Sequence, residues 1–291
     1  MVRMEDNKKP MFKTPIFKKR KENNLSIRIL NFGVLIRVWW RVTLMAAQSQ
    51  LLSGWSGIGF LVAKIVRFLI FLVFLFSVLG SSQGILGYGR VEAIFFFLTF
   101  TLMDTVIQCL FRGVYQFRHL IVTGNYDLDL LKPLPSFFRP LFGWADVLDL
   151  ITLVPFLVYY FYYLSNNQLL TVGNFLVFFL LVFSSMVLAA GINLVIVGVA
   201  VLTTEIDHLV LIYRDVQNMA RFPTDIYSKW LQYLLTFIVP VIILITMPAK
   251  GMLGLLAWPV ILGSLVFSGL FTFLAYRFWQ YSLRRYSSAS S

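Results

Sequence analysis

Six apolar stretches divide this chain, each about long enough to cross a bilayer, and the charges between them are sorted by side. The stretches are Ile58–Gly80, Ala93–Phe111, Val147–Leu164, Phe175–Leu202, Trp230–Met247 and Leu253–Tyr276. If the N-terminus is cytosolic, all 25 Lys and Arg residues except Arg90 and Lys250 fall on the cytosolic side or at its interface. Cytoplasmic loops of membrane proteins carry this positive excess. The pattern predicts an all-α integral membrane protein with six transmembrane helices and both termini in the cytosol.

The composition excludes a soluble domain, because 59% of the residues are hydrophobic and only a bilayer can cover so much apolar surface. The net charge of +12 suits a cytosolic face that touches anionic lipid. We therefore expect membrane lipid, and not nucleic acid, as a partner of the basic residues. Lys64 and Arg67, in the first turns of the first span, are expected to reach the lipid headgroups.

The N-terminal region divides into two parts. Residues 1–25 form a basic and polar stretch that predicts a disordered cytosolic tail, and residues 26–291 form the membrane domain. Within the latter, residues 26–52 are apolar but place Arg37 and Arg41 on one helical face. This favours an amphipathic helix in the cytosolic interface. A seventh span is the alternative, but each arginine near a span centre costs about 2.5–3.5 kcal/mol.

Two segments assigned to the cytosol are too long for simple turns. They are Arg112–Asp146 and Thr204–Lys229. In the second, apolar residues recur at helical spacing, which predicts an amphipathic helix that continues the fourth span and ends at Pro223. Residues 81–92, 165–172 and 248–257 are expected on the outer side.

Asp104 is an acid in the middle of the second span, where a carboxylate normally faces protein or water. Thr101, Asp104, Thr105 and Gln108 share one helical face with Arg112. We call the first four residues the polar stripe. It either hydrogen-bonds a neighbouring helix or lines a substrate pathway, and Gln108 or a water molecule is expected to link Asp104 to Arg112.

Sequence signatures of catalysis are missing. The chain has no G-x-x-x-x-G-K-[ST] phosphate loop, no H-E-x-x-H and no G-x-S-x-G, and its one cysteine and two histidines do not have metal-binding spacing. We therefore expect no catalytic residue, no metal site and no cofactor in this chain. An intramembrane lipid-modifying enzyme and a membrane scaffold without transport are the alternatives to a transporter.

Several segments, in this order, point to a family. They are Gly124–Pro135, Arg221–Trp230, Thr236–Pro240, Pro248-Ala249 and Tyr286–Ser291. From about residue 28 to its end, the chain resembles a six-span branch of the ABC type-2 permeases, the membrane subunits of ABC exporters.

This resemblance implies a permease subunit of an ATP-driven exporter in the plasma membrane of a prokaryote. The ATPase is then a separate chain that holds the ATP and Mg, and a second permease subunit, identical or not, completes the pathway. The substrate stays open among lipids, drugs, peptides and glycan-type molecules.

The segment Gly124–Pro135, which we call the coupling segment, is the expected contact with the ATPase. Two prolines stiffen its backbone, and a loop of this length between helices is usually functional. Its expected coupling residues are Gly124, Asp127, Asp129, Lys132, Pro133 and Pro135, with the two acids as acceptors on an exposed loop. The alternative is a plain solvated loop. Arg221 and Pro223 form a possible second cytosolic contact, or only a helix stop.

Overall fold

The computed structural model describes residues 32–51, 59, 62–66, 68–70, 73, 77, 88–203 and 206–286. All the regular secondary structure in these ranges is helical. The predicted tail 1–25, Arg67 and most of the first predicted span lie outside the described residues. The described residues between positions 59 and 77 are all helical.

The long helices agree with three of the predicted spans. Helix α1 is Phe32–Leu51, within the predicted interfacial segment. Helix α2, Arg90–Phe111, continues with little interruption into α3, Gly113–Val122. Helices α6, Val147–Asn166, and α7, Val172–Thr203, follow the third and fourth predicted spans. Among the described residues, four helices are long and apolar enough to cross a membrane, or five if one bent pair counts as a span.

The segment between α3 and α6 is helical in two places. Helix α4 is Asn125–Leu131 and helix α5 is Phe138–Phe142. Gly124 precedes α4 with φ of 71°, a left-handed conformation that glycine adopts without strain. The prediction that Asp127 and Asp129 lie on a loop is therefore wrong, because both are part of α4.

The prediction that the fifth span is one continuous helix is wrong. Its first arm is Lys229–Ile238 and its second arm is Ile242–Met252, and the two are bent by 85°. Pro240 lies between them, and a proline removes a helical donor and forces the preceding residue out of the helical region. Helix α9, Lys229–Tyr233, is part of the first arm, and α10, Met247–Met252, ends the second.

Both arms contact the same residue, so the bent pair returns to the side from which it starts. The Gln232 side chain of the first arm donates to the backbone oxygen of Asp225 at 3.4 Å. Lys250 of the second arm donates to the carboxylate of Asp225 at 2.9 Å. The last long helix, α11, then runs from Trp258 to Arg284, so it begins five residues later than the sixth predicted span.

Helices α7 and α11 pack closely enough to require glycine. A Cβ atom on Gly191 would lie 2.7 Å from the Thr272 hydroxyl, and one on Gly198 would lie 2.8 Å from the Phe278 ring. The Thr272 hydroxyl donates to the Val187 carbonyl at 2.8 Å. Small residues and side-chain bonds of this kind hold membrane helices together.

Helix α8, Asp207–Asn218, and the turns after it run back along α2–α3. Asp207 pairs with Arg118 near one end of α2–α3. Gln217 lies 3.3 Å from Asp104 near the middle. The chain then reaches the far end of α2, where Asp225 bonds to Tyr88.

That last contact corrects the predicted sidedness. The Tyr88 hydroxyl donates to Asp225 at 2.6 Å, and Lys250 bonds to the same carboxylate. Tyr88 and Lys250 were expected outside and Asp225 in the cytosol, but bonded groups cannot lie on opposite sides of a hydrocarbon core of about 30 Å. The prediction that residues 204–229 are all cytosolic while Tyr88 and Lys250 lie outside is therefore wrong.

Candidate functional site

The coupling segment is built on a fully buried tyrosine. Tyr126 of α4 packs edge-on against Phe117 at 5.0 Å and against Tyr286 at 5.6 Å between ring centroids. Its hydroxyl donates to the Ser136 carbonyl at 3.1 Å. The Trp279 indole, at the end of α11, donates to the Ser136 hydroxyl at 3.2 Å. These contacts fix α4 to α3 and α11.

The acidic side chains of α4 are not the exposed acceptors that the sequence suggested. Asp129 is only 7% exposed and accepts from Lys132 at 2.7 Å and from Arg139 at 3.3 Å. Asp127 is half-buried, and burial together with the Asp127 carboxylate raises the pKa of the neighbouring Tyr286 hydroxyl. Both acids therefore interact with this chain itself.

The outward face of α4 is apolar instead. Leu128 is 61% exposed and Leu131 is 69% exposed, and their spacing of three places them on one face of the helix. The backbone turns extended at Lys132, and the carbonyl of Pro135 accepts from Phe138 at 2.9 Å. Sequence reasoning missed both leucines because it treated the segment as a loop.

The polar stripe forms a hydrogen-bonded line on α2. Gln108 donates to Asp104 at 2.9 Å, and Arg112 donates to Gln108 at 3.4 Å. The expected link between Asp104 and Arg112 through Gln108 is thus confirmed. Gln217 of α8, which is buried, also donates to Asp104. Since Gln217 lay in a segment assigned to the cytosol, the sequence did not identify it as a partner.

The other two stripe residues differ from Asp104 and Gln108. Thr101 donates to the carbonyl of Phe97 in its own helix at 2.9 Å, so it does not bridge to a neighbouring helix by this bond. Thr105 is half-buried on the same side of α2. The hydrogen-bonded line therefore runs from Asp104 through Gln108 of the stripe to Arg112.

Arg112 connects the stripe to a group of buried charges, which we call the Asp146 cluster. Arg112 approaches Asp146 at 3.5 Å, and Lys64 donates to Asp146 at 3.2 Å and to Asp149 at 2.5 Å. Asp146 also caps α6 by accepting from the amides of Leu148 and Asp149. Two cations and two carboxylates balance in charge. Lys64 is thus paired within the protein, where the sequence suggested lipid headgroups.

Arg221 and Pro223 lie away from the coupling segment. The Arg221 guanidinium lies over the Phe100 ring at 5.3 Å and donates to Asn218 at 2.9 Å. Pro223 is buried. Since Phe100 is in the middle of the second predicted span, this position does not support a second cytosolic contact.

At the far end of α2, three side chains from separate segments form what we call the Asp225 cluster. They are Tyr88, Asp225 and Lys250, with Lys250 at 2.8 Å from the nearer Asp225 oxygen. Burial alone would raise the pKa of Asp225, but the bonds from Lys250 and Tyr88 outweigh it and lower that pKa below its ordinary value of 3.8. Burial and the same carboxylate raise the pKa of Tyr88.

A family model described as an ABC-2 family transporter protein matches residues 61–290, which is most of the chain. The chain belongs to the ABC-2 transporter family. No curated protein and no solved structure matches it. Membership of the ABC-2 family confirms the resemblance that the sequence suggested. Together with the apolar helices it indicates a multi-pass membrane permease, a transport subunit that does not itself carry out catalysis.

Proposed function

We propose that this ABC-2 protein is the permease subunit of an ATP-driven exporter in the plasma membrane of a prokaryote. A separate ATPase binds at the coupling segment, and a second permease subunit completes the pathway. The observation that carries the proposal is the exposed apolar face of α4. Leu128 and Leu131 project from a helix whose opposite side is anchored by the buried Tyr126.

The contacts at the ends of the helices support a six-span topology with both termini cytosolic. In this topology the crossings are residues 58–80, α2–α3, α6, α7, Asp207–Arg221 and α11. Lys229–Met252 is a re-entrant hairpin that enters from outside, which accounts for the contact of both arms with Asp225. Arg118, Lys132 and Arg139 then lie on the cytosolic side, in agreement with the positive-inside rule.

The exposed face of α8 supports a second permease subunit. His208 and Asp215 are exposed on it beside Leu211 and Ile212, and in this topology α8 lies at membrane depth. A charged side chain facing lipid is costly, so such residues normally face protein or a water-filled cavity. The α8 face and the polar stripe therefore flank the pathway between two subunits.

The test is association of this protein with an ABC ATPase from the same cells. Truncation of Leu128 and Leu131 to alanine should each weaken binding by about 1–2 kcal/mol if they are central to the interface. Leu255→Ala removes an equally large exposed leucine from the loop before α11 and is the matched control. Co-purification from membranes and binding of the isolated ATPase to the permease in nanodiscs would measure the effect. Unchanged binding of the double leucine variant would contradict the proposal.

A further inference from the structure

The Asp225 cluster joins three segments that are distant in sequence. Tyr88 precedes α2, Asp225 follows the Asp207–Arg221 crossing, and Lys250 is in the second arm of the hairpin. The same Asp225 contributes its backbone oxygen to Gln232 in the first arm. Asp225 thus joins both arms of the hairpin, the first through its backbone oxygen and the second through its carboxylate, to the two segments that carry the polar stripe and its partner Gln217.

The hairpin is anchored separately at its bend. Ser185, near the middle of α7, donates to the carbonyl of Ile243 at 3.2 Å. Gly251 and Gly254 lie against α7 near its start, where added Cβ atoms would approach Leu181 and Asn174. Through this packing the second arm is held by α7, and its Ala249 and Met252 also share an apolar cluster with the start of α2, against which Tyr88 packs. The Asp225 carboxylate adds the ionic and hydrogen-bonded link between the second arm and Tyr88.

The carboxylates of the Asp146 and Asp225 clusters differ in exposure. In the Asp146 cluster both carboxylate side chains are 8% exposed and the lysine 33%, whereas in the Asp225 cluster the carboxylate is 41% exposed and the lysine 18%. Partly exposed ion pairs are weak and exchange with water, whereas buried pairs are costly to break. Because its carboxylate is partly in water, the Asp225 cluster costs less free energy to open than the Asp146 cluster does.

We propose that Tyr88, Asp225 and Lys250 form the latch of an outer gate, which closes the pathway between α2 and Asp207–Arg221 and releases when substrate leaves. The assignment rests on the proposed function and topology. Release of the latch lets the hairpin move away from Tyr88 and gives water on the outer side access to the polar stripe. No change at the coupling segment is required for this step.

Labelling of a stripe position from outside tests the latch without knowledge of the substrate. The reporter is Thr105→Cys in a Cys109→Ser background, in intact cells that also express the ATPase, treated with a membrane-impermeant maleimide. Lys250→Met should raise the labelling rate by up to about fivefold, the factor that corresponds to loss of a partly exposed ion pair. Lys229→Met removes an exposed lysine from the first arm and should leave the rate unchanged.

A cross-link provides the opposite perturbation. Asp225→Cys with Lys250→Cys, added to the reporter, should form a disulfide under mild oxidation. The oxidised protein should be labelled at position 105 more slowly than the same protein after reduction. This comparison needs no variant with a different sequence as its reference, so a folding defect cannot produce the difference.

The latch is overturned if position 105 is labelled equally in all variants and in both redox states, or in none of them. Tyr88, Asp225 and Lys250 are then a static brace. Co-purification of the ATPase from the same cells distinguishes failure of the latch from failure of the proposed function. If the ATPase is retained while labelling does not respond, only the latch fails; if the ATPase is not retained by the reporter protein itself, the proposed function fails.

Discussion

Lys64→Met should destabilise the folded protein by about 3 kcal/mol. Lys64 donates to both Asp146 and Asp149, whose side chains are almost fully buried. Without it, two carboxylates share Arg112, which approaches only Asp146, at 3.5 Å. Removal of one partner from a buried ion pair costs about 3–5 kcal/mol because the other charge is left uncompensated. Since the Lys64 side chain is itself 33% exposed, we expect the lower end of this range.

The assay is unfolding of the purified protein by SDS in mixed micelles, followed by tryptophan fluorescence. A double variant tests the coupling between the charges, because Asp149→Asn combined with Lys64→Met removes one charge of each sign. If the cluster is coupled as the distances indicate, the double variant should recover about 2 kcal/mol relative to the sum of the single variants. A loss below about 1 kcal/mol in Lys64→Met, with no recovery in the double variant, would refute the reasoning and favour contact of Lys64 with lipid headgroups.

Three further predictions concern the stripe, the coupling segment and the Asp225 cluster. Asp104→Asn keeps an oxygen for the bonds from its glutamine partners, so its assembly, measured by size-exclusion chromatography, should be normal. Asp104→Leu should lower the free energy of unfolding in SDS by about 1 kcal/mol for each lost bond. Replacement of Lys132-Pro133-Leu134-Pro135 by alanines should preserve membrane insertion but abolish coupling, measured as loss of ATP-dependent change in labelling at position 105; full retention would make the segment a plain connector. The pKa of Asp225 is lowered below 3.8, so the stabilisation from its ionised form is present above that value and is lost only as the pH falls through the lowered pKa. The rate of labelling at position 105, corrected for maleimide reactivity, should therefore be constant from about pH 8 to 5.

The sequence predicts three of the apolar helices well, because their boundaries are local. Helix α6 begins directly after Asp146, which caps it, and ends two residues beyond the predicted limit. The stripe was also accessible to prediction, since residues four apart on a helix meet, and Asp104, Gln108 and Arg112 bond in that register. These features depend on the spacing of residues along one helix.

Hydropathy could not suggest Asp207–Arg221 as the crossing that we propose. Three of its polar groups have partners from elsewhere in the chain: Asp207 has Arg118, Gln217 has Asp104, and Arg221 has the Phe100 ring. A segment shielded from lipid by protein does not need apolar side chains. The partner positions are about 100 residues away in sequence, so a local window cannot reveal them, and the more apolar Trp230–Met247 was taken as the fifth span in its place.

The coupling segment and the helices beside it pack too closely for independent movement. A Cβ atom on Gly113 would lie 2.8 Å from the carbonyl oxygens of Pro140 and Leu141, so α5 rests directly on the backbone where α3 begins. Together with the buried Tyr126, this makes α3, α4 and α5 one block. Arg112, where α2 meets α3, is bonded to Gln108 of α2 and to Asp146 at the start of α6. In the proposed exporter, displacement of α4 by an ATPase must therefore move α2 or break the bond between Arg112 and Asp146. Movement of α2 together with α6 keeps the bond between Arg112 and Asp146 and carries the polar stripe along, so in the proposed exporter the cytosolic contact would be coupled to the end of α2 near Tyr88.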